Sequence, residues 1–159
     1  MNRTAANLQS CQESGNWLPV EFITFITRPD LYRRVPTCTA CYLQLSQTAV
    51  HTPPHVFEGQ LLRFMTDQQA VLMWYLLLRP DGQHCVVAGE PEWYEQPKGE
   101  LLEEQYSLAN LIICAQSFEE FIYRFWLEHT IWYALSERAD LTAIQQNYVE
   151  TATRNAWLL

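Results

Sequence analysis

The chain has 159 residues, enough for one domain, and 48% of them are hydrophobic, which is typical of a globular protein with one core. Eighteen acidic residues against ten lysines and arginines give a formal charge of −8, which argues against binding to nucleic acid or to an anionic membrane surface. No apolar run approaches the roughly 20 residues of a membrane-spanning helix, and Met1–Gly15 lacks the apolar stretch of a signal peptide. We therefore expect a cytoplasmic protein whose five cysteines are free thiols.

The charge is distributed unevenly along the chain. Residues 1–80 carry six arginines and five acidic residues, whereas residues 81–159 carry thirteen acidic residues and four basic ones. An acidic surface attracts a basic partner and speeds its encounter. The same surplus of carboxylates also keeps a protein soluble, and the sequence alone leaves both interpretations open.

The N-terminal quarter of the chain predicts a loose segment and then a helix. Residues 1–16 are polar and show no hydrophobic period. Pro19 suits the first position of a helix, and the spacing of Phe22 and Ile26 predicts that both face the core. Arg28 precedes a proline, which ends this helix, and Asp30 is expected to cap a second, short helical turn.

The middle of the chain reads as strands of an antiparallel sheet. Cys41–Leu45 alternates like an edge strand, and the prolines within His51–His55 predict a turn or extended loop. Leu61–Met65, Val71–Arg79 and His84–Ala88 form a predicted meander of three strands. The middle strand is apolar on both faces, which predicts a central position in a sheet that is covered on both sides.

The rest of the chain predicts a loop, an ambiguous apolar segment and two helices. Gly89–Glu104 is polar and acidic, and Leu108–Cys114 is either a helix or a buried strand. Ser117–Glu120 matches a capping box, and aromatic residues recur at helical spacing from there to about Ser136. Leu141–Val149 predicts a weaker final helix. The expected fold class is α+β: one domain over residues 17–150, with a central antiparallel sheet of four to six strands packed against N-terminal and C-terminal helices, and a tail at 151–159.

Several segments together resemble the SUKH superfamily, which is related to a fungal regulator of cell-wall synthesis. These segments are Leu18–Phe22, Gly59–Phe64, Asp67–Gln69, Trp74–Leu76 and Ser117–Trp126, within a span of roughly Trp17 to Leu135. The resemblance implies an α+β domain with a central antiparallel sheet and no established catalytic activity or cofactor. It also implies a protein partner, since many bacterial members are regarded as immunity proteins that neutralise toxins, often nucleases or deaminases, and others as interaction modules.

The predicted partner-binding residues lie in the acidic segment that follows the meander. They are Glu90, Glu92, Trp93, Tyr94 and Glu95. Tryptophan and tyrosine are enriched among residues that dominate binding energy, and a surrounding ring of carboxylates suits the basic cleft of a nuclease-type toxin. Alternatively, the two aromatic side chains fold back and fix the loop to the sheet.

A second hypothesis places zinc at two pairs of residues. Cys38 and Cys41 are three positions apart, His51 and His55 are four apart, and thiolates with imidazoles are ligands that zinc uses. The nine residues between the pairs are fewer than in a zinc finger, and two prolines preclude the helix that normally carries the histidines. Alternatively, Cys41 packs inward from an edge strand and the other three residues lie in loops; a redox role for the two cysteines lacks the expected βαβ context.

The sequence offers no coherent catalytic constellation, and we expect a protein that is not an enzyme. His129 falls on the aromatic stripe of the long helix, where a hydrogen-bonded core histidine is expected rather than a catalytic base. The stripe itself predicts the face that packs on the sheet, with a ligand pocket as the alternative. Its C-terminal end, with Trp132, Tyr133 and Trp157, is also a possible oligomer surface.

Overall fold

A computed structural model describes residues 3–13, 15, 17–47, 49–51, 58–89 and 111–156. In chain order the elements are α1 (Arg3–Glu13), α2 (Val20–Thr27), α3 (Pro29–Tyr32), β1 (Tyr42–Leu43), β2 (Val50–His51), β3 (Gln60–Thr66), β4 (Met73–Leu78), β5 (His84–Gly89), β6 (Leu111–Ala115), α4 (Phe118–Ser136) and α5 (Ala143–Ala156). The predicted α+β class is confirmed, with helices on both sides of the strands in chain order.

The strands form one antiparallel sheet in the order β1-β3-β4-β5-β6. The short strand β2 also pairs with β3: β1 pairs with the C-terminal end of β3 and β2 with its N-terminal end. The predicted meander is confirmed: β4 is central and pairs with β3 on one side and β5 on the other. Gly82 takes a left-handed backbone conformation with φ of 81° in the turn between β4 and β5. Its amide donates to the Arg79 carbonyl at 3.1 Å, which closes the turn.

Strand β4 is shorter at its N-terminal end than the apolar run Val71–Arg79 predicts. The side-chain carboxylate of Asp67 accepts hydrogen bonds from the amides of Val71 and Leu72 at 2.8 and 3.0 Å. These two residues therefore belong to the turn after β3, and both of their side chains are exposed. A local side-chain bond to the backbone has outweighed their preference for a strand.

The two faces of the sheet carry separate hydrophobic clusters. On one face, α2 and α4 pack their phenylalanines against Leu62, Phe64 and Leu76. The opposite face carries a second cluster that includes Tyr75, Leu77 and Val87. Both faces of β4 are thus buried, as the sequence predicts.

Immediately before β3, the backbone at Gly59 passes close to the backbone at the end of β4. A Cβ atom at Gly59 would lie 2.5 Å from the carbonyl oxygen of Leu78 and 3.1 Å from a methyl carbon of Leu77. Glycine at this position lets the chain enter β3 directly against the end of β4.

The first residues differ from the sequence prediction of a loose segment. Arg3–Glu13 forms α1, and Leu8 and Cys11 are buried against the main core. The side chain of Asn7 is buried as well and donates to the Leu45 carbonyl at 2.7 Å. Tertiary contacts of a few residues stabilise this helix, and such contacts leave no periodic signal in a short polar sequence.

Helix α2 follows the prediction closely, but its flanks differ in two details. Pro19, predicted as the first helical residue, is the N-cap instead, and the helix begins one position later at Val20; Phe22 and Ile26 are buried as expected. Arg28 ends α2, as predicted. Asp30 is not the cap of α3: the N-cap is Arg28 and Asp30 lies within the first turn, where its carboxylate accepts from the Arg28 guanidinium at 2.9 and 2.7 Å.

The ambiguous segment before the long helix is a strand, β6, and α4 then begins at the predicted cap. The Glu120 amide donates to the Ser117 hydroxyl at 3.1 Å. The reciprocal bond of a capping box shifts by one residue, since the Glu120 carboxylate accepts from the Gln116 amide at 2.9 Å.

The final helix, α5, covers Ala143–Ala156 and is longer than predicted. Among the described helices, none is long and apolar enough to cross a membrane.

Candidate functional site

The predicted partner-binding residues Glu90, Glu92, Trp93, Tyr94 and Glu95 lie outside the described residues. Their attachment points are nevertheless part of the sheet. Gly89 ends β5, Leu111 begins β6, and the two pair with each other in the ladder. Met73, the first residue of β4, pairs with Gly89 on its other side. The chain of the predicted site therefore leaves and rejoins the sheet at the end where β4 begins.

The cysteines and histidines of the zinc hypothesis are described only in part. Cys41 is buried, its thiol lies 3.0 Å from the Thr39 hydroxyl, and its amide donates to the Thr37 hydroxyl at 2.8 Å. Cys38 is half-buried, His51 lies in β2, and His55 is outside the described residues. Over the described ranges, no three histidine, cysteine or acidic residues are arranged to hold a metal ion. A site that includes His55 stays a prediction.

The largest described cavity is a groove between the sheet and α4, with a volume of about 550 Å³. Below, "the groove" means this cavity. Its apolar lining comes from the start of β4, from β6 and from the first half of α4, and includes Trp74, Ile112, Ile113, Phe121 and Phe125. Polar side chains join the lining at Asp67, Arg124, Glu128 and His129. The groove thus lies at the sheet end where the predicted site is attached.

Strand β6 forms one wall of the groove and the edge of the described sheet. Ile112 is 66% exposed and Ile113 is 49% exposed. Cys114 is an extra residue in the ladder, because Ile113 pairs with Val87 and Ala115 pairs with Val86. Such a bulge turns an edge strand and redirects its side chains. The result is a pair of exposed isoleucines beside an apolar groove.

The other wall is held by a polar network that joins α4, β6 and α5. The Arg124 guanidinium donates to the Cys114 carbonyl at 2.9 Å and lies 3.6 Å from the Glu128 carboxylate. The Tyr148 hydroxyl of α5 donates to the same carboxylate. Burial, and the bond to Glu128, raise the pKa of Tyr148 above its ordinary value, which favours the protonated hydroxyl that donates this bond. These bonds fix the charged side chains of the rim in place.

His129 lies in the floor of the groove and is only 8% exposed. Its Nδ1 is 2.7 Å from the Phe125 carbonyl oxygen. A carbonyl oxygen only accepts, so Nδ1 must carry the proton in this bond. Nε2 has no hydrogen-bond partner within the described part of the chain. The prediction of a buried, hydrogen-bonded histidine is confirmed, although only one of its two ring nitrogens has a partner among the described residues.

The thiol next to the groove is not activated for chemistry. Burial raises the pKa of Cys114, and it does the same for Cys11 and Cys85 in the core. Thiolates rather than thiols are nucleophiles and zinc ligands, so a raised pKa lowers the reactivity of a cysteine at neutral pH. Cys114 is therefore a weak nucleophile at neutral pH.

The aromatic stripe of α4 is a core face over only half of its length. Phe118, Phe121 and Phe125 are buried, as predicted, whereas Trp132 and Tyr133 are exposed. The prediction that the whole stripe packs on the sheet is wrong for Trp132 and Tyr133, although His129, one turn before them, is buried. Trp157, assigned with them to a possible oligomer surface, lies outside the described residues.

A second cavity, of about 350 Å³, lies between α2, the segment before β1, and α4. Phe25, Tyr32, Val35, Leu45 and Ile122 are part of its lining, and none of its described lining residues is charged. Its polar side chains are hydroxyls and a thiol, such as those of Thr37 and Cys41, and it has no charged or imidazole group to orient a ligand, so it is the weaker candidate of the two.

Two features of the groove were missed by sequence reasoning. The Ile112–Ile113 pair suggests a buried segment, and only the sheet order reveals that it stands at an edge. The spacing of Arg124, Glu128 and Tyr148 gives a weak signal: the first two are four residues apart on one helix face. Comparison with protein-family models, with curated proteins and with solved structures finds no match to this chain, and the resemblance to the SUKH superfamily stays a prediction.

Proposed function

We propose that this chain is a non-enzymatic protein-binding domain that acts as an immunity protein, by binding a toxin and neutralising it. The observation that carries the proposal is the exposed pair Ile112 and Ile113 on β6, beside the groove. Exposed apolar side chains at a sheet edge next to a groove are typical of interaction sites. Five free thiols suit a reducing compartment such as the cytoplasm.

Charge supports a basic partner. Asp67 and Glu128 belong to the lining of the groove, and the one cationic side chain among its described lining residues, Arg124, already donates to the Cys114 carbonyl. Gly89 and Leu111, which flank the acidic segment in the sequence, lie at the same end of the sheet. A basic toxin domain would meet an apolar centre with carboxylates around it, the usual arrangement of a protein interface.

The test starts with capture of partners by the tagged chain from cells that produce it, followed by titration of the purified partner. The variant Ile112→Ser/Ile113→Ser removes the apolar pair, and Ile144→Ser is the matched control, since Ile144 on α5 is 60% exposed and does not line the groove. We expect the double variant to bind the partner at least tenfold more weakly and the control to bind like the wild type.

A growth assay then tests neutralisation. Cells that express the captured partner alone should stop growing, and co-expression of this chain should restore growth, whereas the double variant should not. Equal affinity of the double variant and the wild type would remove the isoleucine pair from the interface. A partner that does not impair growth would contradict the immunity role and leave a regulatory interaction module.

A further inference from the structure

His129 is a lining residue of the groove, and its Nε2 is a buried polar atom without a hydrogen-bond partner among the described residues. In the neutral ring the proton sits on Nδ1, against the Phe125 carbonyl, and Nε2 then presents a lone pair and acts as an acceptor. It has essentially no accessible surface and no partner among the described residues. Buried acceptors are nearly always paired, and one that is not calls for a specific explanation. A bound group with one hydrogen-bond donor would supply the missing bond.

The rest of the lining defines the shape and polarity of such a group. Trp74 and Phe125 meet edge to face, with ring centroids 6.3 Å apart, and His129 lies against Phe125 with centroids 3.9 Å apart. Aromatic edges and faces of this kind favour another planar ring. A carboxylate or phosphate is disfavoured, because Asp67 and Glu128 belong to the lining and Arg124 already binds a carbonyl and lies beside Glu128.

We propose that the groove receives a tryptophan or tyrosine side chain of the protein partner, whose N–H or O–H donates to Nε2 of His129. This inference rests on the proposed function and names the residue class by which the partner is recognised. The groove adjoins the exposed Ile112 and Ile113, so an inserted ring would be enclosed by further apolar contacts, as at the centre of other interfaces. Insertion requires lining side chains to change rotamer, which is common when interfaces form.

The first test uses indole as the probe and 1-methylindole, which lacks the N–H donor, as its matched control. Binding to the purified chain is measured by NMR titration. We expect indole to bind with Kd on the order of millimolar and roughly fivefold more tightly than 1-methylindole. The ¹⁵N resonance of His129 Nε2 should shift with indole and not with 1-methylindole.

His129→Phe keeps a ring of similar size and removes the acceptor. This variant should bind the two probes with equal affinity, and the control Ile144→Ser should keep the wild-type preference. Equal affinity of the wild type for both probes, or an Nε2 resonance that indole leaves unmoved, would overturn the inference. The wild-type measurements decide the matter even where His129→Phe does not fold.

The partner titration separates failure of this inference from failure of the proposed function. A captured partner that binds His129→Phe as tightly as the wild type overturns the inference and leaves the protein-binding function standing. Preference for indole with no protein partner overturns the protein-binding function and assigns the groove to a free aromatic molecule. Loss of partner affinity by roughly fivefold or more in His129→Phe, with the fold intact by circular dichroism, supports both.

Discussion

The aromatic stripe of α4 changes environment along the helix: Phe118, Phe121 and Phe125 are buried, whereas Trp132 and Tyr133 are exposed. In the first half, Phe118 lies against Phe22, Phe25 and Phe64, with ring centroids 5.0 to 5.5 Å apart. In the second half, Trp132 and Tyr133 also meet edge to face, at 5.1 Å, but Trp132 is 51% exposed. Helical periodicity therefore identifies a face of the helix, while tertiary contacts decide how much of that face is core.

Among the substitutions that test this comparison, Phe118→Ala is expected to change the free energy of unfolding the most. The ring is 1% exposed and touches three other phenylalanines, so its removal leaves a cavity in the centre of the core. We expect the free energy of unfolding to fall by about 3–5 kcal/mol, measured by urea denaturation. A loss below about 1 kcal/mol would mean that the first half of α4 is not the main attachment of the helix to the sheet.

A smaller effect is expected at the cap of the buried half. Ser117→Ala removes the hydroxyl that accepts from the Glu120 amide and should lower the free energy of unfolding by about 1 kcal/mol. Ser136→Ala is the matched control, because the Ser136 hydroxyl bonds only to the Tyr133 carbonyl within the exposed half. Equal losses in both variants, from the same denaturation experiment, would contradict the cap assignment.

The buried half should also respond to pH through His84. The Phe118 amide donates to Nε2 of His84 at 3.2 Å, and burial lowers the pKa of His84, opposed in part by Glu21 and Glu119. The unfolded chain therefore binds a proton at this histidine more readily than the folded chain does. The stability that neutral His84 contributes to the fold is fully present above the unfolded pKa of about 6.5. It is lost as the pH falls below that value.

The measurement is Tm between pH 8 and pH 5 for the wild type and for His84→Gln. Glutamine keeps an acceptor near the Phe118 amide and does not titrate. We expect the wild type to lose more thermal stability than His84→Gln as the pH falls. Parallel pH profiles would show that protonation of His84 is not coupled to folding.

The smallest effect is expected at Trp132→Ala in the exposed half. The side chain makes its one described ring contact with Tyr133 and is half exposed, and alanine suits a helix well. The free energy of unfolding should change by no more than about 0.5 kcal/mol. A loss comparable to that of Phe118→Ala would show that the two halves contribute equally, and would remove the contrast drawn above.

Local patterns predicted most of the sheet and the ends of α2 and α4, because those elements depend on proline, turn residues and hydrophobic period. Helix α1 was missed since its stability comes from tertiary contacts such as the bond from Asn7 to Leu45. The groove could not be foreseen either: exposure of Ile112 depends on β6 being an edge strand, and sheet order is a property of the whole fold. His129 was placed correctly on the buried face, but the unpaired nitrogen follows from three-dimensional geometry alone.

Gly59 has a consequence for how far this sequence can diverge. Any side chain there would meet the Leu78 carbonyl at 2.5 Å, and this obstacle is backbone, which cannot rotate aside as a side chain can. In a library that randomises positions 58–62 and selects for folded protein, position 59 should remain glycine, while the exposed Glu58 tolerates many residues. A glycine at position 59 would therefore indicate that the sheet is preserved, even in a distant relative whose groove residues have all changed.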